Sequence, residues 1–253
     1  MIKGIILTSL LMLGQQSSVF FGSHGTPSAP TSGAACIAPT VGNRWVPSGG
    51  TNGTAFPTLV DVVAGNNGTA SGSNEATYTT AGPNGQPALT FSGTNQYAIT
   101  NITLGTTSDT YLWFFVFKPS DLTGLYPLVG GSVSGNIEAV VNAGKMVVNS
   151  SQSAVMGTGI HTYSTTSYNL AIVEWVSAAG TWKIMYCAGG TCTTDASGTT
   201  SASAYGDNGL GFSVGDGSFS GSIAEWGFTQ VAPASLAATE ASIGTWGNCR
   251  YAI

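Results

Sequence analysis

The sequence predicts an all-β fold, an antiparallel β-sandwich of the jelly-roll type with one short C-terminal helix. Short runs of β-branched and aromatic residues alternate with turn clusters of Gly, Asn and Asp, and a helical pattern occurs at one place only. The strand–helix alternation that is typical of parallel α/β folds is absent from the sequence. With 253 residues, of which 42% are hydrophobic, the chain is long enough to bury a substantial core.

Two runs carry the strand pattern most clearly. The apolar run 111–117 (YLWFFVF) is too short for a buried helix and too aromatic for an edge, which predicts a central strand. In the run 170–176 (LAIVEWV), Glu174 shares one face with Leu170 and Ile172, and the opposite face is apolar as well. We therefore expect this second strand to be covered on both sides.

Residues 223–228 predict a further strand, and residues 233–243 predict the helix. Pro233 stands at the start of the helical pattern and Gly244 follows its last apolar position, so we expect the helix to end there. In the strand, alternation would place Ala224, Trp226 and Phe228 on one face and Ile223, Glu225 and Gly227 on the other.

The charge balance excludes two classes of partner. Six Lys and Arg residues stand against eleven Asp and Glu residues, and only 7% of all residues are charged. A chain of this kind has no basic patch for phosphates, so nucleic-acid binding is not expected. No apolar run reaches the roughly 18–20 residues of a membrane span, so we expect none.

The N-terminal part divides into two segments ahead of the folded domain, which we place at 36–253. Residues 1–21 form either a secretory signal with a poor cleavage region or, the interpretation we favour, an uncleaved apolar arm that packs on a neighbouring protein. Residues 22–35 are rich in Gly, Ser, Thr and Pro, which predicts an extended linker. The apolar residues of the arm are Ile5, Ile6, Leu10, Leu11, Val19, Phe20 and Phe21.

Four cysteines allow three pairings. Cys187 and Cys192 flank a Gly-Gly turn between two strand-like runs, whereas Cys36 and Cys249 lie at the two ends of the folded part. Because a sandwich often brings its termini together, we expect the disulfides Cys36–Cys249 and Cys187–Cys192, which form in an oxidising compartment. A zinc site is the alternative, although both histidines are isolated in the sequence.

Several motifs resemble the concanavalin A-like, or laminin-G-type, lectin fold. Residues 84–97 are similar to the family pattern NG-x-x-AL-x-F-x-G-x-x-x-Y, and 111–119 resemble its central aromatic strand, which ends in Lys-Pro. Residues 221–226 resemble its G-x-I-A-E strand, and 236–246 its closing helix. The resemblance covers about residues 45–250 in the family's order, and it implies a jelly-roll sandwich.

The same resemblance bears on catalysis, because some members of the fold are glycoside hydrolases. Those enzymes carry Glu-x-Asp-x-(x)-Glu on one strand, and this spacing is absent from the sequence. Glu174 and Glu225 are the two acids within strong strand patterns. Each is either catalytic or, as we favour, a structural acid, and we expect the protein not to be an enzyme.

Lectins of this fold bind sugar at sheet faces or rim loops, often with calcium held by Asp and Asn oxygens. The resemblance directs this expectation to the sequence YGDNG at 205–209, where Tyr205 would stack on a sugar ring. Asp207, Asn208 and Asp216 would supply the oxygens, and calcium is the ion that they would hold. The alternative is that these residues only form turns. No other cofactor is expected.

Two functional hypotheses follow. In the first, the chain is a structural protein of a tailed-phage virion: the arm docks on other virion proteins, and several copies of the lectin-like domain face the glycans of the host surface. In the second, it is a secreted bacterial lectin or adhesin whose signal peptide has been removed. The hydroxyl-rich, weakly charged composition and the second apolar cluster after Leu13 favour the first hypothesis.

Overall fold

The computed structural model describes residues 35–70, 73–99, 102, 110–131, 137–150, 155–176, 179–199, 212–215 and 218–253. Within them, two antiparallel sheets pack face to face and one α-helix covers the outer face of one sheet. The predicted all-β sandwich is therefore confirmed. The predicted arm, 1–21, and the linker residues 22–34 lie outside the described part of the chain.

Sheet A has nine strands among the described residues, numbered here in chain order. They are β1 (Asn43–Trp45), β2 (Ala55–Phe56), β5 (Ala76–Thr79), β6 (Ala88–Ser92), β8 (Thr110–Pro119), β13 (Asn169–Val176), β14 (Thr181–Ala188), β15 (Thr191–Thr199) and β17 (Ser220–Val231). Their spatial order is β15-β14-β13-β8-β17-β6-β5-β2, and β1 also pairs with β17. The edge strand β15 thus lies three strands from the central strand β8.

Sheet B has eight strands within the same described ranges. They are β3 (Thr58–Leu59), β4 (Gly68–Ala70), β7 (Tyr97–Ile99), β9 (Leu125–Gly131), β10 (Ile137–Asn142), β11 (Lys145–Ser150), β12 (Val155–Thr158) and β16 (Phe212–Val214). Their order is β12-β11-β10-β9-β16-β7-β4-β3. Short 3₁₀ turns occupy Pro83–Gly85 and Pro233–Ser235, and the helix α1 spans Leu236–Tyr251.

Apolar side chains from both sheets form the main core between them. On β8, Trp113, Phe115 and Phe117 point into this core, and Leu128 and Val141 meet them from sheet B. All five are buried. The alternation of side chains along each strand thus places one face of each sheet in a shared interior.

The opposite face of sheet A is buried beneath α1. Leu112, Phe114 and Val116 of β8 point to this side and pack in one cluster with Ile243 and Trp246 of the helix. The strand β13 is covered in the same way on both faces. This confirms the prediction of a central strand at 111–117 and of a doubly covered strand at 170–176.

The helix extends beyond its predicted end and stops at Tyr251. Gly244 lies inside it, where a Cβ atom would stand 2.8 Å from Cys192 Sγ and 3.0 Å from the carbonyl oxygen of Gly190. This glycine therefore permits the helix to approach the β14–β15 hairpin closely, and Ala252, with φ of 56°, supplies the left-handed cap instead. None of the described helices has both the length and the apolar character that crossing a membrane requires.

A β-bulge changes the predicted facing of residues in β17. The register with β8 shifts between Ile223 and Glu225, so that Ala224 is the extra residue. As a result, Ile223 and Trp226 both enter the main core, and Ala224 joins the cluster beneath the helix. The predicted grouping of Ala224 with Trp226 is therefore wrong, because strict alternation does not continue through a bulge.

Both predicted disulfides are present. Cys36–Cys249 joins the segment before β1 to α1 across a sequence separation of 213 residues, and Cys187–Cys192 closes the β14–β15 hairpin. No cysteine is free. The zinc alternative therefore has no thiolate ligand to use.

We predict that Cys36→Ser lowers the free energy of unfolding by about 2–4 kcal/mol, because the long loop then gains entropy in the unfolded chain. Urea denaturation under non-reducing conditions measures the change. The double variant Cys187→Ser/Cys192→Ser is the control and should cost less, since its bond closes a short hairpin. Detection of a free thiol at Cys36 in the unreduced wild type would refute the pairing.

Candidate functional site

The four residues assigned to sugar and calcium binding from the sequence lie outside the described residues. Tyr205, Asp207 and Asn208 fall in the connection that follows β15, and Asp216 follows β16. Their roles stay predictions. This connection follows Thr199, which lies at one end of sheet A, and precedes Phe212, the first residue of β16 in sheet B.

A groove of about 440 Å³ opens at that end of sheet A, on the face that carries α1. Strands β13, β14 and β15 form its floor, and the first residue of α1 forms one wall. We call it the Glu174 groove. It is lined by Glu174, Val176, Thr181, Lys183, Ser197, Thr199 and Leu236, together with Trp182 and Gly198.

Strand alternation and register explain why these side chains meet. Glu174 follows Leu170 and Ile172 on the face of β13 that α1 covers, but the cover ends where the helix begins. Glu174 is the direct cross-strand partner of Lys183 on β14, and Lys183 is the partner of Ser197 on β15. Directly opposed residues of neighbouring strands lie side by side on one face, so the three form one polar row.

A lysine between two carboxylates is the electrostatic centre of the groove. Lys183 Nζ lies 2.9 Å from Glu174 Oε2 and 2.5 Å from Glu240 Oε1, the latter on α1. The side chain of Glu174 is 3% exposed, whereas that of Lys183 is 25% exposed. The lysine is therefore within reach of a molecule in the groove while it also ties the helix to the sheet.

Glu174 keeps one oxygen without a donor. Its Oε1 is buried and receives no hydrogen bond from the described residues. Burial and the neighbouring Glu240 carboxyl raise the pKa of Glu174 to about 8, because together they outweigh the stabilising Lys183 ammonium. Near neutral pH this carboxyl group can therefore either donate or accept a hydrogen bond.

Glu225, the other acid singled out from the sequence, occupies a closed site. Its side chain is 0% exposed and forms ion pairs with Arg44 (3.1 Å) and Arg250 (3.4 Å). The hydroxyl of Tyr251 donates a hydrogen bond to Glu225 Oε2. Burial raises the pKa of Glu225 to about 7 in spite of the two arginines. A substrate has no access to this carboxylate, so the structure supports a structural role for it.

Glu174 and Glu225 are also too far apart to act as a glycosidase pair. Their partners on β8 are Leu112 and Val116, and β8 lies between the two strands that carry them. Two strand spacings and four residues along the strand correspond to about 16 Å. The paired carboxylates of glycosidases are only roughly 5–10 Å apart.

The described residues offer no metal centre. No group of three or more His, Cys, Asp or Glu side chains within them is arranged to hold an ion. His161 instead stacks on the ring of Tyr186, with the ring centres 3.6 Å apart. The calcium expectation concerns residues outside the described ranges and stays a prediction.

Sequence reasoning identified Glu174 but missed its partners in the groove. The sequence analysis assigned no role to Lys183 or to Glu240. The available signal was the alternation that puts Glu174 on the helix-facing side of β13. The register that brings Lys183 beside it depends on how β13 pairs with β14, which the residues around Glu174 do not indicate. The hydroxyls of Ser197 and Thr199 carry no signal at all in a chain so rich in Ser and Thr.

Comparison with known proteins identifies the fold. No protein-family model matches the sequence, and no curated protein matches it. Among solved structures, domain 4 of AbnA, an extracellular GH43 arabinanase from Geobacillus stearothermophilus in complex with arabinotriose, is 16% identical with a TM-score of 0.55. The match covers 81% of this chain and 100% of that domain.

Two further structures match over a smaller share of their length. A tryptophan-to-alanine mutant of HCR/D is 12% identical with a TM-score of 0.52, covering 80% of this chain and 51% of that one. Botulinum neurotoxin type C, whose cell entry depends on two ganglioside molecules, is 12% identical with a TM-score of 0.47, covering 75% and 51%. The chain thus spans about half the length of these two proteins. The matches to the arabinanase domain and to HCR/D, with TM-scores above 0.5, show a shared β-sandwich fold alone.

The raised pKa values lead to a prediction about stability. A carboxyl group that holds its proton up to pH 7 or 8 when folded, but loses it near pH 4.5 when unfolded, binds more protons in the folded state. The free energy of unfolding should therefore fall as the pH rises from 5 to 8. In Glu174→Gln the fall should be shallower, as measured by urea denaturation at each pH.

Asp121→Asn is the control for this prediction. Hydrogen bonds from the hydroxyl of Tyr126 and from Thr123 lower the pKa of Asp121 to about 2, so it is ionised in both states across this range. Its replacement should leave the slope against pH unchanged. Equal slopes for the wild type and Glu174→Gln would contradict the assignment.

Proposed function

We propose that this chain is a carbohydrate-binding domain without catalytic activity, and that the Glu174 groove is part of its sugar site. The observation that carries the proposal is the partly exposed ammonium group of Lys183, which lines an open groove between the carboxylates of Glu174 and Glu240. An ammonium group placed in this way can donate a hydrogen bond to a ligand hydroxyl that enters the groove. The groove also lies at the strand end that leads to Tyr205.

The remaining lining of the groove suits a sugar. An ammonium group has three N–H donors, and Lys183 uses two on its carboxylates, so the third can reach a ligand hydroxyl. Thr181, Ser197 and Thr199 add hydroxyls that both donate and accept. Val176 and Leu236 supply apolar surface for the C–H face of a pyranose or furanose ring.

The comparisons support the same class of ligand. Domain 4 of the arabinanase, which is matched over its full length with a TM-score above 0.5, was solved with a neutral oligosaccharide, arabinotriose. The separation of Glu174 from Glu225 and the enclosure of Glu225 favour binding over hydrolysis. We accordingly assign recognition rather than turnover to this chain.

Two substitutions on one edge strand test the location of the site. Ser197 and Thr193 are both exposed on β15, but only Ser197 lines the groove. Ser197→Arg should fill the groove and weaken oligosaccharide binding about 10-fold or more, equivalent to about 1.4 kcal/mol. Thr193→Arg, with the same charge change, should alter binding less than about 2-fold.

A glycan array followed by calorimetry provides the measurement, with circular dichroism to verify that both variants fold. If both substitutions weaken binding equally, the groove is not the site. If no glycan binds to the wild type, the proposed function is wrong. Release of shorter sugars during incubation with the wild type would show an enzyme.

We further propose that residues 1–21 anchor the domain on a phage virion and that 22–35 act as the tether. The apolar residues of the arm and the poor cleavage region support this placement. Two disulfides are consistent with an extracellular particle. They equally favour the second candidate, a secreted lectin released from its signal peptide.

Mass spectrometry of the protein from its native source separates the two candidates. An intact N-terminus, with the chain recovered in purified particles, is expected for the virion protein. A mature chain that starts beyond residue 14 and is found free in the medium would overturn the anchor and support the secreted lectin.

A further inference from the structure

Resting on the proposed function, we infer that the Glu174 groove selects neutral sugars and rejects sugars that carry a carboxylate, such as sialic and uronic acids. The charge that a ligand meets in the groove is set by the contacts of Lys183 and by the positions of the other described cations.

Lys183 is already neutralised before a ligand arrives. It is the one cationic side chain among the described residues that line the groove, and it contacts a carboxylate on each side. With both Glu174 and Glu240 ionised the triad carries one net negative charge, and with Glu174 protonated it carries none. In neither state does the groove present the surplus positive charge that recognition of a carboxylate requires.

None of the other four described Lys and Arg side chains lines the groove, and one of them, Lys145, lies on β11 of sheet B. Arg44 and Arg250 are committed to Glu225 beneath the helix. Lys118 lies near the far end of β8, where its neighbour Phe117 pairs with Asn169, and contacts the ring of Tyr168. That end of the sheet is roughly 20 Å from the groove along the strands, beyond the reach of contacts with a bound sugar unit.

A neutral sugar meets the opposite situation. Its hydroxyls accept from the remaining N–H of Lys183 without displacing either ion pair. A carboxylated sugar would place a second anion against Glu174 and Glu240, and like charges in a partly desolvated site repel. The groove therefore combines full hydrogen-bonding capacity with no attraction for anions.

The test compares matched pairs of glycans, each pair differing only in a sialic or uronic acid, on an array and by calorimetry. The wild type should bind the neutral member at least about 10-fold more tightly. Glu240→Gln removes one carboxylate from Lys183 and should reduce this preference at least about 3-fold. Glu75→Gln makes the same change in net charge. Because Glu75 lies just before β5, far from the groove in the strand order of sheet A, this variant should leave the preference unchanged.

Each outcome has a separate meaning. Wild-type protein that binds the acidic members as tightly as the neutral ones, or an unchanged preference in Glu240→Gln, would overturn this inference while carbohydrate binding stands. Binding to neither member of any pair would overturn the proposed function, and the inference with it. Thermal unfolding of Glu240→Gln verifies that α1 stays in place, since this carboxylate also ties the helix to β14.

Discussion

The cover that α1 provides for the second face of sheet A is the constraint on which the rest of this structure depends. The central strand carries apolar side chains on both faces, and Leu112, Phe114 and Val116 would meet water without the helix. Full burial of such side chains contributes about 1.5–3 kcal/mol each, against a net stability of about 5–15 kcal/mol for a whole domain. Loss of the helix would therefore remove a large part of the stability.

The groups that hold the helix in place also create the groove. Lys183 joins β14 to Glu240 near the helix start, while Arg250 and the Cys36–Cys249 bond fix its last turns. Lys183 and Arg250 are partly exposed, so these ion pairs contribute less than fully buried ones, for which removal of one partner costs about 3–5 kcal/mol. These contacts keep the polar groups of the groove rigid before any ligand binds, which reduces the entropy lost on binding.

The sequence predicts the local elements of this fold well and its long-range pairings poorly. Apolar alternation is a property of each strand, so the residues of runs such as 111–117 and 170–176 are enough to indicate that these strands are buried. The bulge at Ala224 and the interior position of Gly244 depend on contacts with β8 and with the β14–β15 hairpin. Both features arise from partners remote in the chain, and a local pattern carries no information about them. The disulfide pairing was accessible because the cysteine positions themselves limit the choices.

The candidate site is likewise assembled by contacts between residues that are remote in the chain. Glu174 stands out as an acid in an apolar strand. Its role in the groove depends on Lys183 and Glu240, which strand register and helix docking bring beside it. A groove that binds through hydroxyls and a neutralised lysine gains little from electrostatic steering, so its association rate with a ligand is not raised by long-range attraction. Several copies held together would turn rebinding into an intramolecular event and raise the overall affinity by about 10²–10⁴. A weakly charged domain is suited to this multivalent use.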